Sequence, residues 1–184
     1  LHDITRGETH VSCAVQKDAG DDPDTTNGIL VYAKVEKISA EAAKNIIDNQ
    51  NTDSKKVIIH SSIILDGGVG VGRVTKPGLS QKVGEAAINP VPKAMILREA
   101  EEAAQEYDYE GYLKITISVP EGEEISKKTF NPRLGIMGGI SILGTSGIVE
   151  PMSERALIAS IQVEMKQHFF QGENYILVTP GNYG

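Results

Sequence analysis

The chain has 184 residues, a net charge of −7, 40% hydrophobic residues and 23% charged ones, enough for one packed domain and the start of another. The acidic balance argues against a nucleic-acid partner, which needs a basic face, yet leaves room for a local basic pocket and an anionic small molecule. No apolar run approaches the roughly 20 residues of a membrane span, no leader pattern stands at the start, and Cys13 has no second cysteine to pair with, so a cytoplasmic protein with no membrane partner is expected.

His10–Gln16 alternates, with Val11, Cys13 and Val15 on one face, and predicts a half-buried strand. Lys17–Asn27 reads as a turn-rich loop. Ile29–Lys37 predicts a second strand, with Val31, Ala33 and Val35 inward. Ser39 is placed to cap a short helix through Asp48, facing the core with Ala43, Ile46 and Ile47. A polar tip, Asn49–Lys55, leads into a strand over Val57–Leu65 and a glycine-rich loop over Gly67–Gly78.

Pro90 and Pro92 stop regular structure, and Pro92 suits the first turn of a helix. Ile96, Ala100, Ala103 and Tyr107 recur at helical spacing as its inner face. The acidic run Glu99–Glu106 is a solvated side of that helix. Leu113, Ile115, Ile117 and Val119 alternate as the clearest strand. After a turn at Pro120–Gly122, Lys127–Gly147 is a second glycine-rich stretch around the apolar run Ile140–Leu143. Ser153 caps a last helix with Leu157, Ile161 and Met165 inward, and Gly172 ends it. Tyr175–Val178 predicts a strand running into Thr-Pro-Gly-Asn. The pattern is α+β, helices packed on a mixed or antiparallel sheet. Residues 1–172 form one domain, and 173–184 read as the strand and glycine turn that open a second α/β unit.

Three stretches carry the chemical signal. Gly67–Gly78 follows a strand and holds Gly68, Gly70 and Gly72 beside Arg73, Thr75 and Lys76. Such a loop can cradle an anion with backbone N–H groups, or be a plain hairpin loop. Its G-x-G-x-G spacing is not the dinucleotide fingerprint, and Lys76 lacks the glycine and hydroxyl residue of a P-loop. Lys17–Asp24 contains Asp18, Asp21, Asp22 and Asp24, which do not match a calcium loop; an Asx-rich turn is the simpler reading. Asn131–Thr145 contains Arg133, Gly138, Gly139, Ser141, Gly144 and Thr145. Ser141 stands in G-x-S-x-x-G, one residue off the hydrolase elbow. The histidines His2, His10, His60 and His168 show no metal-ligand spacing, and no protein-bound metal is expected. Cys13 reads as core.

Together these stretches resemble one family. Lys-Asp-Ala-Gly-Asp-Asp-Pro-Asp at Lys17–Asp24, Gly-Val-Gly-Arg-Val-Thr-Lys-Pro-Gly-Leu at Gly70–Leu79 with Ala-Ile-Asn-Pro-Val-Pro at Ala87–Pro92, and the run Gly135–Pro151 are similar to its three hallmarks, in the same order. The family is CbiD, the cobalt-precorrin-5B (C1)-methyltransferases of anaerobic cobalamin biosynthesis. Members carry an N-terminal Thr/Gly-rich motif and a longer, Rossmann-like C-terminal part that this chain lacks. The resemblance implies S-adenosylmethionine as methyl donor and a cobalt-containing, polycarboxylate macrocycle as substrate, with a homodimer compatible. It suggests Lys17, Arg73, Lys76, Asn89, Lys127 and Arg133, with Lys128 beside them, as partners for the substrate's acid groups. Asp21, Asp22, Asp24, Gly68, Gly70, Gly72, Thr75, Gly138, Gly139, Ser141, Gly144 and Thr145 are the matching candidates for the methyl donor. A non-catalytic tetrapyrrole-binding module, or a nucleotide- or phosphate-binding enzyme using Gly67–Gly78, are the alternatives.

Overall fold

A computed structural model describes residues 1–20, 24–51, 55–144, 154–177 and 179. Its frame is a six-stranded mixed sheet. The strands are β1 (His2–Arg6), β2 (His10–Gln16), β3 (Leu30–Ile38), β4 (Ile58–His60), β5 (Ile63–Gly67) and β8 (Tyr112–Ser118), in the order β1-β2-β3-β8-β5-β4. All neighbours are antiparallel except β5 and β8. A parallel pair needs a crossover. Here it is the segment holding β6 (Gly70–Val71), β7 (Arg73–Val74) and helix α2 (Pro90–Glu106).

The register puts Val11, Cys13 and Val15 opposite Val35, Ala33 and Val31, and Val35 and Ala33 opposite Ile115 and Ile117. Directly opposed residues share a face, so this is one apolar surface crossing four strands to Leu65. Leu97 of α2 packs on it, with Ile96 and Ala100 alongside, in a cluster that includes Ile63, Leu65, Ile88, Ile115 and Val119. That cover stops short of β2: Val11 and Val15 remain exposed. Cys13, expected in the core, is only half-buried.

The helix α1 (Ala40–Asp48) forms as expected. Ser39 accepts a hydrogen bond from the Ala42 N–H, and Ala43 is fully buried. Helix α2 starts two residues earlier than expected, at Pro90, with Asn89 as N-cap. Its inner face is also rotated: Leu97 is buried, whereas Tyr107 is 76% exposed. The run Val57–Leu65 is a hairpin rather than one strand, turning at Ser61, whose φ is +51°. A short helix, α3 (Gly122–Ser126), follows β8 where only a turn was expected.

Strands β9 (Ile136–Met137) and β10 (Gly139–Ile140) lie in the second glycine-rich stretch, before helix α4 (Glu154–Phe170). Of the expected inner face of α4, the Leu157 side chain lies outside the described residues, while Ile161 and Met165 are 40% and 43% exposed; Gln167 is buried instead, donating to the Leu134 carbonyl at 2.6 Å. Ser153 lies outside the described residues. Gly172 closes α4 with φ +86°. Residues 173–177 form no strand, and Tyr175 and Leu177 are almost fully exposed; a strand needs a ladder partner, and none lies beside them among the described residues. No described helix is long and apolar enough to cross a membrane.

Candidate functional site

Two of the three motif stretches are zipped into one knot. Gly70 and Val71 pair in parallel with Gly139 and Ile140, and Arg73 and Val74 pair antiparallel with Met137 and Ile136. Around these short ladders the backbone hydrogen bonds are nearly all used within the protein. The Gly72 N–H donates to the Ile140 carbonyl, the Ala87 N–H to Gly72, the Asn89 N–H to Ile142, and the Ile142 N–H to Ala87.

The glycines explain how the strands come so close. A Cβ on Gly70 would overlap the Val119 carbonyl, and one on Gly139 would overlap the Gly70 carbonyl. Gly72 abuts Ile136 and Gly139, and Gly68 lies against Ser118 and Thr116. These four positions are filled by the protein's own atoms. Gly138 differs: its φ is +79° and a Cβ there would meet nothing within 4 Å. It sits at the exposed rim of the knot between Met137 and the buried Gly139, with Leu143 69% exposed further along.

Arg73 is committed to the fold. Its guanidinium meets Asp66 at 2.7 Å and donates to the carbonyls of Gly67 at 2.9 Å, Lys56 at 3.2 Å and Gly84 at 3.3 Å. One side chain thus fastens β5, the segment before β4 and the turn after β7. Thr75 donates its hydroxyl to the Gly135 carbonyl at 2.8 Å. The Lys76 stem lies over Gly135, and its residue is exposed. Asn89 accepts from the Gln81 amide at 2.8 Å. Ser141 donates to Asn131 at 3.2 Å, and Asn131 is buried. Arg133 stands over the Phe130 ring at 5.8 Å, and exposed Lys127 pairs with Glu124 at 2.6 Å. Lys128 is exposed and Gly144 half-buried.

The first motif closes on itself. Lys17 pairs with Asp24 and Thr26. The other Asp24 oxygen accepts from the Thr26 N–H and hydroxyl, both at 2.7 Å. Burial pushes the Asp24 carboxyl up, but the hydrogen bonds from Lys17 and Thr26 and the Lys17 charge together hold it below its ordinary value. Both Asp24 oxygens are therefore taken. Asp21, Asp22 and Thr145 lie outside the described residues. Among those described, no group of three or more His, Cys, Asp or Glu could hold a metal.

Reading by motif missed Asp66, Gln81 and Gln167. Asp66 and Gln81 complete the hydrogen bonds of Arg73 and Asn89, and Gln167 holds Leu134 from 33 residues away; no spacing rule marks such pairs, because the fold and not a helical or strand period brings them together.

A family model described as CbiD matches residues 1–151. The chain is 53% identical over 184 residues to the cobalt-precorrin-5B C(1)-methyltransferase of Ruminiclostridium cellulolyticum, covering 100% of this chain and 42% of that protein. It is 55% identical over 183 residues to the protein of the same name from Clostridium botulinum strain Eklund 17B, covering 98% and 45%. A crystal structure of a cobalamin biosynthesis protein (cbiD) from Archaeoglobus fulgidus superposes with a TM-score of 0.53 at 32% identity, over 91% of this chain and 47% of that one. The chain thus spans less than half the length of the relatives it matches.

Proposed function

Since the chain belongs to the CbiD family, we propose that it serves the S-adenosylmethionine-dependent methylation of carbon 1 of cobalt-precorrin-5B in cobalamin biosynthesis. The observation that carries this reading is identity of about half, sustained over the whole chain, to relatives named for that reaction. The donor supplies a methyl group on a cationic sulfonium; the electron pair of the ring carbon forms the new C–C bond while the S–C bond breaks onto sulfur.

The donor's place is narrowed by packing. The backbone at Gly68, Gly70, Gly72 and Gly139 is pressed against protein atoms, so those four read as rivets of the knot and not as a cradle. Asp24 is already engaged through both oxygens, by Lys17 and by Thr26, which makes it a poorer partner for a ribose hydroxyl. The outer rim fits better: Gly138 leaves open space, and Met137 and Leu143 offer exposed apolar surface beside it. Ser141 and Gly144, both half-buried, follow in the same stretch. Apolar cover there would keep water from the sulfonium, and fixed placement of the two reactants lowers the barrier without any covalent nucleophile.

On the substrate side, Lys76 and Arg133, with Lys128 beside them, carry no ion pair among the described residues, and they remain assigned to the acid groups of the macrocycle. Arg73, Lys17 and Lys127 are better read as positioning residues, since each already has a carboxylate partner. The domain boundary is placed at Gly172, which ends α4; residues 173–184 would open the next unit. Nothing favours the nucleotide reading, because the Gly72 and Val74 N–H groups a phosphate would need are bonded to protein carbonyls.

Calorimetric titration with S-adenosylhomocysteine tests the donor half. Saturable binding is expected, weakened in Gly138→Val, where a bulky side chain fills the open rim. No binding by the folded chain would contradict a donor site within these residues.

A further inference from the structure

The geometry points to a further ligand-binding surface, outside the two short ladders of the glycine knot: a basic cavity that takes the carboxylate edge of a polyacidic ligand. The cavity has a volume of about 500 Å³ and lies between β4, the turn after β7 and the first turn of α2. Lys56, Lys82 and Lys93 line it, opposed by one acid, Glu85.

None of the three ammonium groups forms an ion pair or a hydrogen bond among the described residues. Some cations elsewhere do find a carboxylate, as Lys34 does in Glu36, Arg98 in Glu99 and Lys127 in Glu124; what sets these three apart is that they share one concave wall. Three unanswered like charges on one concave wall repel each other, in a chain whose net charge is −7. A polyanion relieves that repulsion, and a concave site lets several charges act on it together.

The wall is also built with care. Lys56 donates its backbone N–H to the Gly84 carbonyl and bridges to Glu85. Arg73 grips the Lys56 and Gly84 carbonyls from behind. Glu85 is turned toward the Lys82 N–H, at 3.3 Å. The cavity therefore hangs on the same arginine that fastens the second motif.

At Lys93 it meets a smaller cavity of about 270 Å³, lined by Ala94 and Leu97 and by His60, which pairs with Glu101 at 3.0 Å. Lys93 thus stands between a basic cavity and a smaller one whose accessible wall is mostly apolar, edged by Arg98 and Glu101. That combination suits a flat apolar body with acid groups along an edge. On the methyltransferase reading, which supplies only the identity of the ligand, this is where some acetate and propionate arms of the macrocycle bind, the others being left to Lys76 and Arg133.

The test uses cobyrinic acid, a corrinoid with free carboxylates, titrated into the chain by calorimetry, with its fully methyl-esterified form and inorganic phosphate as competitors. Saturable binding is expected. It should weaken roughly tenfold or more when Lys56→Gln, Lys82→Gln and Lys93→Gln are combined, since charge-assisted contacts are lost, and return when the three are arginine instead. Neither the ester nor phosphate should displace the acid. Lys82→Gln alone, at an exposed position whose side chain makes no hydrogen bond or ion pair among the described residues, should weaken binding several-fold and guards against a folding defect in the triple variant. Equal binding by wild type and variants, no binding by wild type, or equal displacement by the ester or by phosphate would each overturn the site. The homocysteine-cofactor titration of the triple variant should match wild type, so failure of the methyl-transfer reading shows there and not here.

Discussion

Replacing Gly70 by alanine sets a methyl group against the Val119 carbonyl oxygen, in a backbone held at φ +71°. Replacing Gly138 puts one into open space at a similar φ of +79°. The second change costs only left-handed strain, about 1–2 kcal/mol. The first adds overpacking against backbone that cannot yield, for a total of about 2–4 kcal/mol or more. Urea unfolding of Gly70→Ala and Gly138→Ala should therefore give clearly separated midpoints. Equal losses would mean that the close approach at Gly70 relaxes at no cost, and that the rivet account of the knot is wrong. The comparison also separates two kinds of glycine that look alike in a sequence: one excludes its own side chain because protein is already there, the other leaves room.

Helix α2 makes the corresponding point for elements. Its true inner face is Lys93, Ile96, Leu97, Ala100 and Ala104, all buried or half-buried, while Ala103 and Tyr107 face outward. Leu97→Ala should cost about 2–4 kcal/mol, the usual range for a buried leucine. Tyr107→Ala should stay within about 0.5 kcal/mol. Thermal or denaturant melts of the two variants check this, and a larger loss for Tyr107→Ala would contradict the packing. The sequence reading went astray here for a physical reason. Ile96 and Ala100 are shared by two overlapping stripes, and the periodicity alone does not say which stripe continues to the core.

Elements with strong local signals were legible: the alternation of β8, the Ser39 cap of α1 and the glycine end of α4. The hairpin at Ser61 was not, since the polar break His60-Ser61-Ser62 holds no glycine or proline and the turn is made by a non-glycine residue at positive φ. The half-buried expectation for Val11 and Val15 found the right face of the sheet; how far α2 covers that face is a tertiary fact. In the site, the motifs could be recognised but their roles could not. Arg73 looks like a ligand-binding cation until Asp66 and three carbonyls are seen around it. Lys56, Lys82 and Lys93 share no motif at all, and only the topology brings them to one wall.

At the scale of the whole molecule, the account has a mixed sheet covered by α2, a knot that locks two glycine-rich stretches together, an open rim beside Gly138 and a basic groove along β4 and α2. The knot provides rigidity, which the proposed placing of a large macrocycle against a methyl donor would need. Such an arrangement needs no titrating nucleophile, and within the described knot Ser141 is bonded to Asn131 and is not poised by a histidine.

The most direct measurement is methyl transfer itself. The chain is incubated without oxygen with cobalt-precorrin-5B and S-adenosylmethionine carrying a labelled methyl group. The account predicts label on ring carbon 1 and one S-adenosylhomocysteine released for each methyl transferred. A folded chain that binds both partners and leaves the ring unlabelled would contradict it.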